Sequence, residues 1–261
     1  MKSLSIAATG MLAQQLNVEV ISNNIANMNT TGFKRQRAEF QDLLYQNIER
    51  IGATSSSTGT VVPNGIQIGV GVKAGSVYRI TDQGNMNPTG NAFDVAVDGE
   101  GYFRVQLPSG EDAYTRAGNF AVDAAGQLVT AEGYLVQPGI VIPQEARDVT
   151  INEEGQVEVT LPNQAAPSQV GQLELATFFN EAGLEAVGQN MLLETAASGP
   201  ATLGTPGSTG FGAILQGFVE TSNVDAVQEI TALIAAQRAY EMNAKVITTS
   251  DEMSSVGSNL K

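Results

Sequence analysis

Residues 4–25, LSIAATGMLAQQLNVEVISNNI, decide the fold. Leu4, Met11, Val18 and Ile25 recur every seven residues, Ala7 and Ile21 fill the interleaved positions, and Gln14 is the one polar exception. Such a repeat lays a narrow apolar seam along one side of a helix, the pattern of helices that pack lengthwise on other helices. The other end of the chain behaves alike. Ala226, Leu233, Tyr240 and Ile247 repeat by seven, with Ile230 and Ala244 beside them and Gln237 polar. Ser222-Asn223-Val224-Asp225 precedes this second seam and fits a capping box, in which Ser and Asp side chains accept from the free amides of a first helical turn. At 1.5 Å per residue the two helices are expected to run roughly 35 and 50 Å. An antiparallel pair inside one monomer explains both seams as well as bundling between copies does. Placing the two longest helices at opposite chain ends, around a separate body, favours assembly between copies.

Working inward, Gly75 to Gly217 shows short β-branched or aromatic runs between Gly-containing turns, as in Asp94-Val95-Ala96-Val97, Tyr102-Phe103-Arg104-Val105 and Val157-Glu158-Val159. Asp123-Ala124-Ala125-Gly126, Asn152-Glu153-Glu154-Gly155 and Asn180-Glu181-Ala182-Gly183 each suit a type I turn leading into a bulge, so each predicts a hairpin. The fold class expected is α+β: paired terminal helices around a mostly antiparallel β domain. The expected boundaries are 1–33 and 218–261 for a helical assembly domain, 34–75 for a connecting segment and 76–217 for the β domain. The turns are spaced too irregularly for a propeller or solenoid. Ser198 to Gly212 reads as a loop returning to the C-terminal helix. Gly52 to Gly59 is low in complexity and reads as a linker or as a segment that orders against a neighbour. Phe40, Leu44 and Ile48 have helical spacing, but their flanks leave helix and extended chain both open.

Composition removes whole classes of function. The 261 residues carry a net charge of −14, which repels nucleic-acid phosphates and anionic membranes. Lys34, Arg35 and Arg37 form the one basic cluster and read as a solvated loop. There is no Cys and no His, which removes thiolate nucleophiles, disulfides, the Ser-His-Asp triad and the commonest zinc ligand. No cofactor or metal is expected. No apolar run is long enough to span a bilayer, so no direct membrane insertion is expected. Leu4 to Ala8 begins like a signal peptide, but Thr9-Gly10 and Gln14-Gln15 interrupt the run. A retained helix and another export route are expected.

Asp94, Asp98, Glu100, Glu111 and Asp112 are the acids that could gather at one end of a sheet and hydrolyse a glycosidic bond, with peptidoglycan as the substrate. Asp98-Gly99-Glu100-Gly101 also reads as an ordinary turn with solvated acids. Gly69-Val70-Gly71 and Gly75 have the wrong spacing for a dinucleotide fingerprint. Asn29-Thr30-Thr31 is a glycosylation sequon too short to carry weight.

The segment Ser22-Asn23-Asn24-Ile25-Ala26-Asn27-Met28-Asn29-Thr30-Thr31-Gly32-Phe33-Lys34 reads physically as a helix terminator, with Gly32 supplying the backbone angle. It also resembles the N-terminal signature of flagellar axial proteins, the family of rod and hook subunits, with Asn24, Ala26, Asn27, Thr31, Gly32 and Phe33 as its core. The resemblance continues through Phe40-Gln41-Asp42-Leu43-Leu44-Tyr45, Ile66 to Val72, Val97-Asp98-Gly99-Glu100-Gly101-Tyr102-Phe103, Tyr114-Thr115-Arg116-Ala117-Gly118, Val219-Glu220-Thr221-Ser222-Asn223-Val224 and Gln237-Arg238-Ala239-Tyr240-Glu241. It is strongest to the distal rod branch, because residues 45–63 look like a rod-specific stretch. Proximal rod and hook subunits are its nearest siblings. The resemblance implies a structural, non-catalytic subunit of a rigid helical tube that encloses an export channel and carries torque across the periplasm to the hook. It implies self-association, and partners among proximal rod proteins, the hook protein, the rod cap and the peptidoglycan- and outer-membrane-ring bushing proteins. It also implies type III export without a cleavable signal.

Overall fold

The computed structural model describes residues 2–49, 65–162 and 166–259. Helix α1 spans Lys2–Ala26 and helix α2 spans Ala226–Asn259. Both heptad stretches are therefore helical, and at 1.5 Å per residue the helices are about 37 and 51 Å long. Helix α2 begins where expected with a narrower cap: Asp225 Oδ1 accepts from the Val227 and Gln228 amides at 2.9 and 3.2 Å. Ser222 does not share that task, since its hydroxyl accepts from the Val224 amide at 3.3 Å, ahead of the helix. Helix α1 stops at Ala26, six residues before Gly32, so the +69° φ of Gly32 closes the following turn and does not cap the helix.

The chain divides into two compact units, one of residues 1–25, 36–78 and 225–261, the other of 26–35 and 79–224. In the first, the helices are accompanied by a two-stranded ribbon. Gln36–Asp42 pairs with Val72–Arg79, and Tyr45–Glu49 runs antiparallel to Ile66–Gly69. The ribbon settles the mixed signal around Phe40, Leu44 and Ile48 in favour of extended chain. Gly52 to Gly59, and residues 50–63 of the rod-specific stretch, lie outside the described residues.

In the second unit every strand ladder recorded is antiparallel. Its largest sheet has nine strands, with Tyr102–Gln106 near the middle between Asp112–Thr115 and Leu135–Val136. In a three-stranded sheet of Asp148–Ile151, Gln156–Thr160 and Ser168–Gln172, the first two strands alternate buried with exposed or half-exposed positions, as strands of a one-sided sheet do. Val95, Val97, Phe103, Leu128, Val157 and Leu175 are among the side chains of the core so formed.

Two of the three expected hairpin turns form. Asp123 to Gly126 and Asn152 to Gly155 close with glycine φ values of +84° and +77°, and the Gly amide donates to the Asp123 or Asn152 carbonyl. The third does not: Glu181–Gly183 is a 3-10 turn, and the strands on either side of it, Leu175–Thr177 and Glu185–Gly188, pair with other strands. The unpredicted hairpin comes just after, where Gln189 and Asn190 take φ of 54° and 57° between Glu185–Gly188 and Met191–Leu193. Both central residues left-handed is the two-residue turn whose twist matches antiparallel strands. Within the expected loop 198–212, Thr202–Gly204 is a strand paired to Leu175–Thr177.

Candidate assembly site

The helices of the first unit meet through small and polar residues. Glu229, Ala236 and Ser250 are buried on α2, and Asn243, half-buried, completes a seven-residue line with them. On α1 the buried positions are Ala7, Ala13, Val20, Ile21 and Asn24. A Cβ on Gly10 would lie 3.0 Å from Asn243 Nδ2, so glycine is what lets the backbone come this close. Asn24 is the polar tie. Its Nδ2 donates to Glu229 Oε2 at 3.1 Å and to the Gln36 carbonyl at 2.8 Å, while its Oδ1 accepts from the Gln36 amide at 2.8 Å.

Of the seam residues read from the sequence, Ile21 is buried; Leu4, Met11, Val18, Ile25, Ala226, Leu233, Ala244 and Ile247 are half-buried; Ile230 and Tyr240 are exposed. Within one chain, α2 therefore turns inward a line displaced by three residues from the apolar heptad. Large apolar side chains are left bare elsewhere around the helix. Val227, Ile230, Ile234, Met242, Val246, Met253 and Val256 are all exposed; at 100° per residue Val227 and Ile234 lie opposite the Glu229–Ser250 line, Ile230, Met242 and Val256 lie to its sides, and Val246 and Met253 lie beside Ser250. A groove between the helices is lined by Gln15, Val18, Glu19, Gln237, Tyr240 and Glu241.

The ribbon is bare in the same way. Leu44, Tyr45, Ile48, Ile66 and Ile68 are exposed, Leu44 at 86%. Two strands alone have no opposing layer against which to bury such side chains. Thr9 anchors the ribbon to α1: its hydroxyl donates to the Ile6 carbonyl and accepts from the Val72 amide at 3.3 Å, and a side chain on Gly71 would strike it.

The rest of the signature belongs to the second unit. Thr30 Oγ1 donates to Asn27 Oδ1 at 3.2 Å, the Phe33 amide donates to the Thr30 carbonyl at 3.3 Å, and the Thr31 carbonyl accepts from Asn190 Nδ2 at 2.9 Å. Ala26, the last residue of α1, is exposed. The next residue after this turn, Lys34, is not the solvated charge its composition predicts. It is 7% exposed, and its ammonium lies 2.6 Å from Glu220 Oε1. Burial pulls the Lys34 ammonium below the usual lysine range against the opposing pull of Glu220. Burial alone would raise the Glu220 carboxyl, but Arg116, with its Nε 2.8 Å away, and then Lys34 hold it below the usual glutamate range. Nothing in a linear reading joins residues 34, 116 and 220; only the folded topology does.

Four of the five acids considered for glycoside cleavage have side-chain partners of their own. Asp94 accepts from Asn91, Asp98 from Gln83, Glu111 from Ser109, and Asp112 pairs with Arg104. A cleft of about 620 Å3 is lined by Glu100 but by none of the other four.

Three family descriptions match the chain: flagella basal body rod protein over residues 4–34, flagellar hook protein FlgE/F/G D1 domain over 96–159, and flagellar basal body rod FlgEFG protein C-terminal over 215–260. A hook protein FlgE of Treponema pallidum is 41% identical over 160 residues, 60% of this chain and 34% of its own. Flagellar basal-body rod protein FlgG of Agrobacterium fabrum is 53% identical with both chains covered in full, and that of Caulobacter vibrioides is 65% identical over 261 residues, again the whole of both. On likeness of that extent, the chain belongs to the family of flagellar basal-body rod proteins named FlgG.

Proposed function

We propose that the chain is a structural subunit of the distal rod, and that it polymerises into a rigid helical tube carrying torque to the hook around an export channel. The observation that carries this reading is the burial pattern of α2, whose line toward α1 is small and polar while large apolar side chains elsewhere on the helix are bare. A helix pair of that design lacks most of its core until other copies supply it. The ribbon's uncovered side chains make the same demand, and residues 45–63 bridge subunits and stiffen the tube. The subunit works by packing, without catalysis. Proximal rod proteins, the hook protein, the rod cap and the bushing rings are its neighbours in the periplasm, which it reaches without a cleavable signal.

Electron microscopy of basal bodies from cells carrying a tagged copy tests this reading. Label is expected on the straight segment below the hook. Label on the hook, which the Treponema relative makes the second reading, or label nearer the inner membrane, would move the chain to a sibling axial protein. No axial label would reopen glycoside hydrolysis.

A further inference from the structure

Three sequence motifs that assembly leaves unexplained meet at one carboxylate. Glu220, from Val219 to Val224, is 1% exposed. Its Oε1 accepts from Lys34 Nζ at 2.6 Å and the Gly84 amide at 2.8 Å, and its Oε2 accepts from Arg116 Nε at 2.8 Å. Lys34 closes the N-terminal signature, and Arg116 stands in Tyr114 to Gly118. The two cations are themselves tied down. Lys34 Nζ donates to the Asp82 carbonyl at 2.8 Å, and Arg116 donates to the carbonyls of Gly99, Gly101 and Val97 at 2.8, 2.6 and 3.2 Å. The Tyr102 ring lies 5.9 Å from the Arg116 guanidinium, and its hydroxyl donates to Glu181 at 3.1 Å.

The place of this cluster in the chain gives it meaning. The chain passes between its two units after residues 25, 35, 78 and 224. The β-unit ends of the last three crossings, residues 32–35, 79–85 and 220–224, are the segments that surround Glu220. Backbone bonds knit the same segments: the Gly32 amide to the Glu220 carbonyl at 2.9 Å, the Ile80 amide to the Arg35 carbonyl at 2.8 Å, and the Thr221 amide to the Asn85 carbonyl at 2.9 Å. Asn223 adds its own: it accepts from the Arg35 amide at 2.7 Å and donates to the Ile80 and Asp82 carbonyls, both at 2.9 Å.

A buried ion pair contributes little net stability compared with apolar packing, yet breaking it is costly because a charge is left stranded. The apolar core of the β unit supplies its stability elsewhere. The ion cluster therefore suits a role in fixing one arrangement.

We propose that Glu220 is a positioning residue which, through Lys34 and Arg116, clamps the β-unit ends of three chain crossings into one joint. Load reaching the β unit along the crossings then enters it as one body, not along three independent strands. The load is that of the rod-subunit reading. The clamp itself does not depend on that reading, and its test uses the unassembled chain.

Residue-level hydrogen exchange on the full-length soluble chain, as wild type, Glu220→Gln and Lys34→Met, tests the clamp. In both variants the amides of Gly32, Arg35, Ile80 and Thr221 are expected to exchange about 10- to 100-fold faster, as for a buried partner removed. Exchange in the strands Tyr102–Gln106 and Gln156–Thr160 is expected to change less than about twofold, as for regions that open independently. Uniform acceleration across crossings and core would make Glu220 a general stabiliser and overturn the proposal, as would unchanged exchange at the crossings. Should Glu220→Gln fail to fold, Lys34→Met decides alone, since methionine fills much the same space without the charge. A tag found elsewhere on the flagellum would alter the source of the load but leave this pattern as expected.

Discussion

Replacing Gly32 by alanine separates two penalties that the fold imposes at one atom. Gly32 has a φ of +69°, and a left-handed residue with a Cβ costs about 1–2 kcal/mol. The added Cβ would also lie 2.7 Å from the Ala117 amide nitrogen and 2.8 Å from the Arg116 carbonyl carbon. Both are backbone atoms, unable to swing aside, so overpacking adds about 1–3 kcal/mol. The total, about 2–5 kcal/mol, lowers the melting temperature of a unit this size by about 5–15 °C. Gly110→Ala is the control: its φ is +90°, but no atom lies within 4 Å of the new Cβ, leaving the conformational penalty alone. Near-ultraviolet circular dichroism follows the melt, because Tyr102 and Tyr114 are buried in the β unit. Equal losses in the two variants would refute the packing argument. A Gly32→Ala midpoint within about 1 °C of wild type would refute both parts.

Asn24→Ala removes the bonds to Gln36 and Glu229, and is expected to destabilise the helical unit by about 1–3 kcal/mol, read by far-ultraviolet dichroism during urea unfolding. Because the folded-state pKa of Glu220 is depressed, its contribution is complete above the unfolded glutamate pKa, about 4.3, and is lost as pH falls through the lower folded value. Unfolding free energies of wild type and Glu220→Gln from urea titration should thus differ most near neutrality, by about 1–3 kcal/mol, and converge in acid; a constant gap would show that the carboxylate charge is irrelevant. Ile234→Asp on the bare face of α2 and Leu233→Asp on the half-buried side should each stop polymer formation, seen by electron microscopy, while the β unit stays folded; normal polymers from either would clear that face of a role. Deleting residues 45–63 should leave a polymer that bends, and a straight rod from that deletion would remove the stiffening role.

The long-range order of the chain was legible where a local rule suffices. Seven-residue spacing marked both helices, and Asp or Asn followed three residues later by Gly marked the turns at 123 and 152, because each rule needs only neighbours in sequence. The same rule failed at Asn180, where the flanking strands find partners far along the chain. Lys34 was misread because a lone charge defaults to solvent, and its partner lies 186 residues away. On α2, apolarity points to Ile230, Leu233 and Tyr240, yet the line turned toward α1 is Glu229, Ala236 and Ser250. A hydrophobic ranking cannot choose that line, since its selection follows from what Gly10 and Asn24 on α1 can approach and bond. Signature residues Asn24 and Gly32 were visible as a motif, while their work, gripping Gln36 and passing close beneath Ala117, appears only in three dimensions.

The uneven spread of charge has a consequence for the protein before it assembles. The β unit holds 18 acidic and 6 basic residues, so −12 of the chain's −14 lies there, and the helix-bearing unit is almost neutral. Free copies thus carry an adhesive surface on one unit and mutual repulsion on the other. At low ionic strength that repulsion reaches about 30 Å and keeps copies dispersed, whereas at physiological salt it fades within about 8 Å. Colloidal balance, as much as contact geometry, then sets the concentration at which nucleation begins.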